Sequence, residues 1–378
     1  MKGSPGKSRE ALLSPDALRP VLDEIYEGAA ERDAHPDFPH APFRALVRAG
    51  VLGMALPEEI TSPGERPRRF PFSEEWSTLR AVSKADGSVG RILDGHFNGT
   101  ERVAALAPEP LRSRELEEIA AGRLLLGVWG ADPIPGEGEP ARLSKAGGEP
   151  VVEGTKTFCS GATGVDRALI LARPPEGSPP GPPLLVYLAL DESVEVDRNW
   201  FRGAGMRASE SHRVIFHGTP VLAILGEPGE LAREPYFNRD AIRTAFCWAG
   251  MSDRAVDAAL DTLAAKTGGE PDEALSLAAG RILEAQATID RWLEHAARAA
   301  DADPTASLSP FAIHLRERVA RCCREILDEA ARACGSRPFA VADDLDRARR
   351  DLELFLLQHR LEPALARAGR EEIRRRAG

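Results

Sequence analysis

Four residues of this sequence carry side chains that can take part in catalysis: Ser160, Asp240, His96 and His359. A carboxylate can remove a proton, an imidazole can transfer one near neutral pH, and a hydroxyl can stabilise a charge that develops beside it. Phe158 precedes Ser160 by two positions, and an aromatic face can hold a flat ring by dispersion and burial. Each residue also has a structural interpretation. The segment from Phe158 to Ser160 can be a strand that ends in a turn, Asp240 a helix N-cap, and the histidines packing residues of helices.

The first third of the chain, which must position His96, is predicted to be a helical domain at residues 1–122. A helix from Ala41 to Ala49 places apolar residues on one face and ends at Gly50, and a second helix spans residues 73–84. The polar, Pro-rich segment 57–71 between them predicts a surface loop.

The middle of the chain, residues 123–227, is predicted to be a β domain that carries Ser160. Its short β-rich runs are residues 150–154, 168–172, 184–189 and 213–216. Glycines and prolines separate the runs, with the spacing of a small β-barrel or sandwich. The cluster of prolines and glycines at 174–183 predicts a long hairpin loop.

The last part, residues 228–378, is predicted to be a four-helix bundle. Its helices are expected at residues 241–264, 273–300, 309–333 and 344–368. Gly335, followed by Pro338, ends the third helix, and Asp343 or Asp344 can cap the fourth. The predicted fold is therefore mainly α with a central β-barrel.

Composition limits the classes of partner. The formal net charge is −10, which argues against nucleic acid as a partner. No run approaches the roughly 18 to 20 apolar residues that span a bilayer, and the polar first residues lack a secretory signal, so no membrane partner is expected. Five cysteines at irregular spacing predict free thiols in a reducing compartment, and hence a cytoplasmic protein without a metal site.

Four segments occur in an order that is typical of one family. They are residues 154–162 (Gly-Thr-Lys-Thr-Phe-Cys-Ser-Gly-Ala), 205–211, 249–257 and 333–351. Together with the order of helices, β-rich runs and helices, they resemble the acyl-CoA dehydrogenase superfamily from about residue 15 to about residue 369. The resemblance implies a flavin cofactor, with FAD as the default and FMN or reduced flavin as alternatives.

The resemblance also implies roles for particular residues. Phe158 would lie against the edge of the flavin ring, and the Ser160 hydroxyl would donate a hydrogen bond to flavin N5. Further cofactor contacts are implied for Trp129, Ala131, Cys159, Gly335 and Ser336. The turn that contains Gly335 contacts the nucleotide of a partner subunit in relatives, so a homodimer or homotetramer is expected.

The chain departs from the family at the catalytic base. Most relatives carry this base in a Glu-Gly-Thr loop, and the corresponding stretch here, residues 355–363, has no such loop. Other relatives place the base on the first helix of the last domain, and the same spacing back from Gly250 leads to Asp240. Asp240 is therefore the candidate base for removing an α-proton, with the helix N-cap as the alternative.

Two further segments differ from the family. Residues 131–138 read Ala-Asp-Pro-Ile-Pro-Gly-Glu-Gly and keep Asp132, Pro133 and Gly136 of the substrate loop, but lack its Ser-Asp pair. The Arg-x-x-Phe-Gly segment that grips flavin phosphates across a dimer is missing near residues 266–273. The resemblance therefore does not fix acyl-CoA as the substrate.

His359 resembles a catalytic residue of the monooxygenases that share this scaffold. In that branch, a histidine of the C-terminal domain and a barrel serine stabilise a flavin hydroperoxide, and His359 and Ser160 would be this pair. A packing role in its helix remains the alternative for His359. His96 would line the substrate pocket from the N-terminal domain, with helix packing as its alternative.

Three functions follow from the resemblance. The first is α,β-dehydrogenation of an acyl thioester or related small molecule, with hydride transfer to flavin N5 and an electron acceptor as partner. The second is a two-component monooxygenase that receives reduced flavin from a flavin reductase and forms a C4a-hydroperoxyflavin. The third is a non-catalytic relative that acts as an assembly partner. Bleaching of yellow protein by an acyl-CoA would favour the first function, and binding of reduced flavin by colourless protein the second.

Overall fold

The computed structural model describes residues 15–58, 70–358 and 360–378. The protein is 56% helical, and its described part contains twelve α-helices and one curled sheet. The helices are α1 (Pro15–Glu27), α2 (Ala29–Ala34), α3 (His40–Arg48), α4 (Phe72–Ala85), α5 (Gly87–Leu106), α6 (Leu111–Ala120), α7 (Tyr236–Thr267), α8 (Glu273–Ala302), α9 (Phe311–Cys334), α10 (Arg337–Ala340), α11 (Asp344–Leu356) and α12 (Glu362–Ala377). The predicted mainly helical fold with a β unit is confirmed in this coarse form. Among the described helices, none combines the length and apolarity that crossing a bilayer requires.

The sheet is a seven-stranded half-barrel. Its strands are β1 (Leu126–Trp129), β2 (Arg142–Ala146), β3 (Glu149–Cys159), β4 (Arg167–Ala172), β5 (Leu184–Ala189), β6 (Val194–Asp197) and β7 (His212–Leu225). The strand order is β1-β4-β5-β7-β3-β2, with β6 also paired to β7. The β1–β4 pair is parallel and the other pairs are antiparallel. The sequence analysis predicted a central β-barrel, and the order of the described strands, which does not return from β2 to β1, makes the sheet a half-barrel. The predicted long hairpin loop at 174–183 does connect the antiparallel strands β4 and β5.

The chain forms two compact units. The first contains the described residues up to Phe70, then Arg91–Arg202 and Arg207–Tyr236. Its apolar core joins α5 and α6 to the sheet through Leu56, Val103, Ala107, Leu116, Ile119, Leu124, Leu126, Leu169, Leu185, Tyr187 and Leu225. Removal of this apolar surface from water is the main force that holds the helices on the sheet. A buried carboxylate within the core, Glu115, accepts hydrogen bonds from the Tyr187 hydroxyl at 2.7 Å and from Arg167 at 3.1 Å.

The second unit contains Pro71–Gly90, Gly203–Met206 and Phe237–Gly378. Gly250 allows α7 to approach α4 closely, because a Cβ at this position would lie 2.2 Å from the carbonyl oxygen of Arg80. The Arg80 guanidinium pairs with Asp253 across the same contact at 2.7 Å. Gly250 therefore permits the close packing of these two helices.

Local signals predicted three of the helix termini. Gly50 and Gly335 follow helices with φ angles of 74° and 78°, which glycine adopts readily. Asp343 caps α11, and its carboxylate accepts the backbone N–H groups of Leu345 and Asp346.

The predicted helix 344–368 is wrong, because the chain forms α11 and then a separate α12. Pro363 lies in the first turn of α12, where it is tolerated, whereas in a helix interior a proline removes a hydrogen bond and clashes with the preceding turn. The predicted surface loop at 57–71 lies largely outside the described residues.

Candidate functional site

The end of strand β3 contains a β-bulge that exposes Phe158. Lys156 pairs with Val214 and Cys159 with His212, so three residue steps on β3 face two steps on β7. One residue of β3 is therefore extra, and such bulges redirect side chains and strengthen the local bend. The Phe158 side chain is 53% exposed although its chain neighbours are buried.

The backbone at Phe158 is strained. Its φ angle is +52°, in the left-handed region that a bulky side chain rarely occupies. Such a conformation costs on the order of 1–3 kcal/mol and persists where the surroundings impose it. Two hydrogen bonds on one side impose it here: the N–H of Thr157 donates to Ala131 O at 3.1 Å, and its hydroxyl donates to Asp132 O at 3.2 Å. On the other side, the Gly161 N–H donates to Ser209 O at 2.7 Å.

Trp129 also fixes this segment. Its indole N–H donates to the backbone carbonyl of Ser160 at 3.0 Å, and the ring is almost completely buried. Trp129 therefore holds the backbone of the Ser160 turn in place. Cys159, between Phe158 and Ser160, is also buried, and burial raises the pKa of its thiol well above the usual range.

Three serine hydroxyls form a hydrogen-bonded row that begins at Ser160. Ser160 Oγ lies 2.9 Å from Ser211 Oγ, which lies 2.7 Å from Ser209 Oγ. Ser160 is partly exposed, whereas Ser211 is 7% and Ser209 0% exposed. The row therefore leads from a partly exposed hydroxyl to a completely buried one.

Trp200 forms an aromatic ledge with Phe158. The two ring centroids are 4.9 Å apart and the rings are nearly perpendicular, which is a favourable edge-to-face geometry. The Trp200 indole N–H donates to Glu137 Oε1 at 3.1 Å. Arg213 supports the same loop by donating to the carbonyl of Glu137 at 2.9 Å. Trp200 was not among the residues that the sequence predicted to contact a cofactor.

The loop 131–138 is held at its start by a buried lysine. Lys156 Nζ donates to Asp132 Oδ1 at 2.7 Å and to the carbonyl of Gly130 at 3.3 Å, and its side chain is 1% exposed. Burial lowers the pKa of Lys156, and the hydrogen bond to Asp132 opposes this shift. Asp132, which the sequence analysis recognised as part of the substrate loop, therefore anchors the loop 131–138 beside Phe158 and Trp200.

The turn that carries Ser211 is fixed by neighbouring polar groups. Glu210, with a φ angle of 48°, accepts a hydrogen bond from the Thr163 hydroxyl at 2.8 Å and pairs with His212 Nε2 at 3.2 Å. Burial opposes ionisation of Glu210, but the hydrogen bonds from His212 and Thr163 outweigh it and lower the pKa of the carboxyl. These contacts hold the backbone on both sides of Ser211.

His96 does not have the geometry expected of a substrate-lining residue. Its ring is completely buried, with Nε2 2.9 Å from Leu52 O and Nδ1 accepting the N–H of Leu126 at 3.2 Å. Burial lowers the pKa of His96 to about 4, and the hydrogen bond to Leu52 opposes this only in part. Because both nitrogens are engaged by backbone groups, the packing interpretation replaces the substrate role.

The other candidates lie in the second unit or outside the described residues. Asp240 is the fifth residue of α7, so the N-cap interpretation is wrong; its Oδ1 is 3.7 Å from Arg243 Nη1. Its role as a base stays a prediction. Gly335 ends α9 and Ser336 is exposed, and their contact with a cofactor also stays a prediction. His359 lies outside the described residues.

The described fold is found in solved structures of oxygenases. FMN-bound TdsC from Paenibacillus sp. A11-2 superposes with a TM-score of 0.82 at 19% sequence identity, and the match covers 95% of this chain and 96% of TdsC. At this identity the likeness shows the fold. No protein-family model matches the chain.

The sequence relatives include a monooxygenase and a nitrososynthase. Dibenzothiophene monooxygenase of Rhodococcus qingshengii is 25% identical over 234 residues, which are 58% of this chain and 52% of the relative. The chain thus matches about half the length of that relative. L-evernosamine nitrososynthase of Micromonospora sp. is 27% identical, and the match covers 89% of this chain and 84% of the relative. The resemblance to the acyl-CoA dehydrogenase superfamily, including its flavin-dependent monooxygenase branch, is confirmed.

Proposed function

We propose that this protein is a flavin-dependent monooxygenase that uses reduced FMN and dioxygen to oxidise a small molecule. The observation that carries the proposal is the bulge at Phe158. It holds a large aromatic ring exposed, in a strained backbone conformation, two residues before a hydroxyl that ends a buried row. Strain of this kind collects at ligand-binding and active sites.

The exposed residues fit a flavin ring. Phe158 and Trp200 offer apolar faces for a planar heterocycle, and the Ser160 hydroxyl can donate to one of its polar atoms. Reduced flavin supplies two electrons to dioxygen, of which one oxygen atom enters the substrate and the other leaves as water. The protein contributes binding, orientation and a hydrogen-bond donor at Ser160 Oγ.

FMN is favoured over the FAD default. TdsC binds FMN, and this chain lacks the Arg-x-x-Phe-Gly segment with which relatives grip the flavin phosphates across a dimer. The stretch 268–272 lies between α7 and α8 and contains two glycines and two acidic residues in place of that segment.

Dehydrogenation of an acyl thioester, which the sequence analysis put first, is less well supported than the monooxygenase alternative. The relatives are monooxygenases and nitrososynthases, and the Glu-Gly-Thr loop is absent from the sequence. We further propose delivery of reduced flavin by a separate reductase, a homodimer or homotetramer, a cytoplasmic location, and domains at residues 1–122, 123–227 and 228–378. Asp240, His359, Gly335 and Ser336 remain candidate site residues within this proposal.

Anaerobic titration of the purified protein with reduced FMN tests cofactor binding. Mixing the complex with labelled dioxygen and a panel of dibenzothiophene, indole and an amino sugar nucleotide then tests oxygen transfer, read by mass spectrometry as the gain of one labelled oxygen atom. We expect Trp200→Leu to weaken binding of reduced FMN by about tenfold, because it removes one aromatic face. Tyr26→Leu, which alters an exposed aromatic residue of α1, is the matched control and should bind as the wild type.

Two results would overturn the proposal. One is wild-type protein that binds neither reduced nor oxidised flavin at micromolar concentration. The other is protein whose bound flavin is reduced anaerobically by an acyl-CoA, because this result assigns dehydrogenation.

A further inference from the structure

The buried serine row restricts how its hydroxyl hydrogens can point. Among the described residues, Ser211 Oγ is the only hydrogen-bond partner of the Ser209 hydroxyl, and Ser209 is completely buried. Within the described part of the chain, the Ser211 hydroxyl is hydrogen-bonded only to its two serine neighbours. Each hydroxyl has one hydrogen and two acceptor lone pairs, so the directions of the two bonds are coupled.

Only one arrangement gives every buried hydroxyl hydrogen an acceptor. If Ser160 donates to Ser211 and Ser211 to Ser209, the Ser209 hydrogen is buried without an acceptor. If Ser211 accepts from both neighbours, its own hydrogen has no acceptor. If Ser209 donates to Ser211 and Ser211 donates to Ser160, both buried hydrogens are bonded and only oxygen lone pairs stay unfilled. An unmet buried donor is costly, and unfilled acceptor capacity is tolerated more often.

We propose that Ser209 and Ser211 are positioning residues that make Ser160 a hydrogen-bond donor towards the exposed side of the half-barrel. This inference rests on the proposed function, in which the acceptor is an atom of the flavin or of oxygen bound to it. The Ser160 oxygen accepts the Ser211 hydrogen, so the Ser160 hydrogen points to the partly exposed side. Donation along the row also polarises each hydroxyl in the same direction and strengthens the terminal donor.

The Ser160 oxygen is held in place for this role. Its backbone carbonyl accepts the Trp129 indole N–H, and the next residue, Gly161, is bonded to Ser209 O. The two ends of the row, Ser160 and Ser209, are thus tied together through the backbone as well as through Ser211. The backbone of this region therefore sets the distance between Ser160 Oγ and Ser211 Oγ.

Neutron diffraction of the flavin-free protein tests the direction of the row directly. The expected map has the Ser209 deuterium on the line to Ser211, the Ser211 deuterium on the line to Ser160, and the Ser160 deuterium directed away from Ser211. A Ser160 deuterium that points at Ser211 overturns the inference. This test does not involve flavin, so its failure is distinct from a failure of the proposed function.

Flavin binding supplies the second test, with three variants and a control. We expect Ser211→Ala to weaken binding of reduced FMN and to speed hydrogen peroxide release on reaction with oxygen, each by about threefold to tenfold, the range for loss of one hydrogen bond. Ser209→Ala should have a smaller effect in the same direction, because Ser211 can still donate. Ser211→Thr keeps the hydroxyl and should restore wild-type behaviour. Ser193→Ala removes a hydroxyl elsewhere on the same unit, bonded to Asp191 and Thr219, and should change neither quantity.

The double variant separates positioning from a general structural role. If Ser211 acts through Ser160, the Ser160→Ala/Ser211→Ala protein should match Ser160→Ala in flavin affinity, peroxide release and the visible absorption band of bound oxidised FMN. Effects that add across the two positions overturn the inference, as does a Ser211→Ala protein that matches the wild type. Wild-type protein that binds no flavin refutes the proposed function, and the neutron map alone then decides the direction of the row.

Discussion

We expect replacement of His96 by glutamine to flatten the dependence of stability on pH between about 6.5 and 4. The wild-type ring is completely buried, and Nδ1 accepts the N–H of Leu126 while Nε2 faces the carbonyl of Leu52. A proton on Nδ1 would break the bond from Leu126 and place a charge in the core. Glutamine has an amide that can donate to Leu52 O but does not titrate.

The magnitude follows from the depressed pKa of His96, about 4 in the folded protein against 6.5 for the free side chain. The unfolded chain binds a proton below pH 6.5 while the folded chain does not, so the contribution of the neutral ring is complete above pH 6.5. It is lost as the pH falls towards 4 and changes no further below that value. Over about 2.5 pH units at 1.36 kcal/mol each, the wild type loses about 3 kcal/mol through this group.

Urea unfolding, followed by tryptophan fluorescence at several pH values from 7 to 4.5, measures the effect. The difference in the free energy of unfolding between wild type and His96→Gln should shrink steadily below pH 6.5. His35→Gln alters an exposed histidine and should keep the wild-type slope. Parallel curves for wild type and His96→Gln over this interval would refute the reasoning, and so would an NMR titration in which the His96 ring protonates near pH 6.5.

Two further predictions concern the second unit. Gly205→Ala should destabilise the protein by about 1–3 kcal/mol in urea unfolding, because its Cβ would lie 2.0 Å from the carbonyl oxygen of Arg350. Gly280→Ala, in helix α8 with open space around it, is the control and should stabilise by about 0.5–1 kcal/mol. Glu75→Gln should cost about 3–5 kcal/mol, seen as a lower Tm, because it removes the negative charge that faces the completely buried Arg243 guanidinium at 2.6 Å. A Tm equal to that of the wild type would contradict this last estimate.

The features of the fold that local chemistry sets could be predicted from the sequence. Gly50 and Gly335 end helices because glycine accepts a positive φ angle, and Asp343 caps α11 through its own carboxylate. The half-barrel order of the strands could not be predicted, because it depends on pairing between strands that are far apart in the chain. The break before α12 was missed although Pro363 was visible, because the helical period of apolar residues continued on both sides of it.

Only the part of the candidate site that lies in one short segment could be predicted from the sequence. Phe158 and Ser160 lie in one short segment, so their spacing could be read directly from the sequence. Ser211 and Trp200 come 40 or more residues later, and only the pairing of β3 with β7 and the fold of the intervening loop bring them to Ser160 and Phe158. Ser211 belongs to the segment 205–211 that carries the family resemblance, but no role was predicted for it. The surroundings of His96 could not be predicted either, because its position in a helix does not reveal that both ring nitrogens contact backbone groups.

The bulge in β3 explains why these separate features belong to one site. In a regular strand, side chains alternate between two faces, so Phe158 and Ser160 would share a face with Lys156. Here residues 155–157 are all buried, Phe158 is exposed and Cys159 is buried again, so the alternation is interrupted where the extra residue is inserted. The interruption turns Phe158 outward while Cys159 keeps its pairing with His212, and it leaves Ser160 beside Ser211. One inserted residue thus produces both the exposed aromatic ring and the end of the serine row, and any change that restores regular pairing must remove both together.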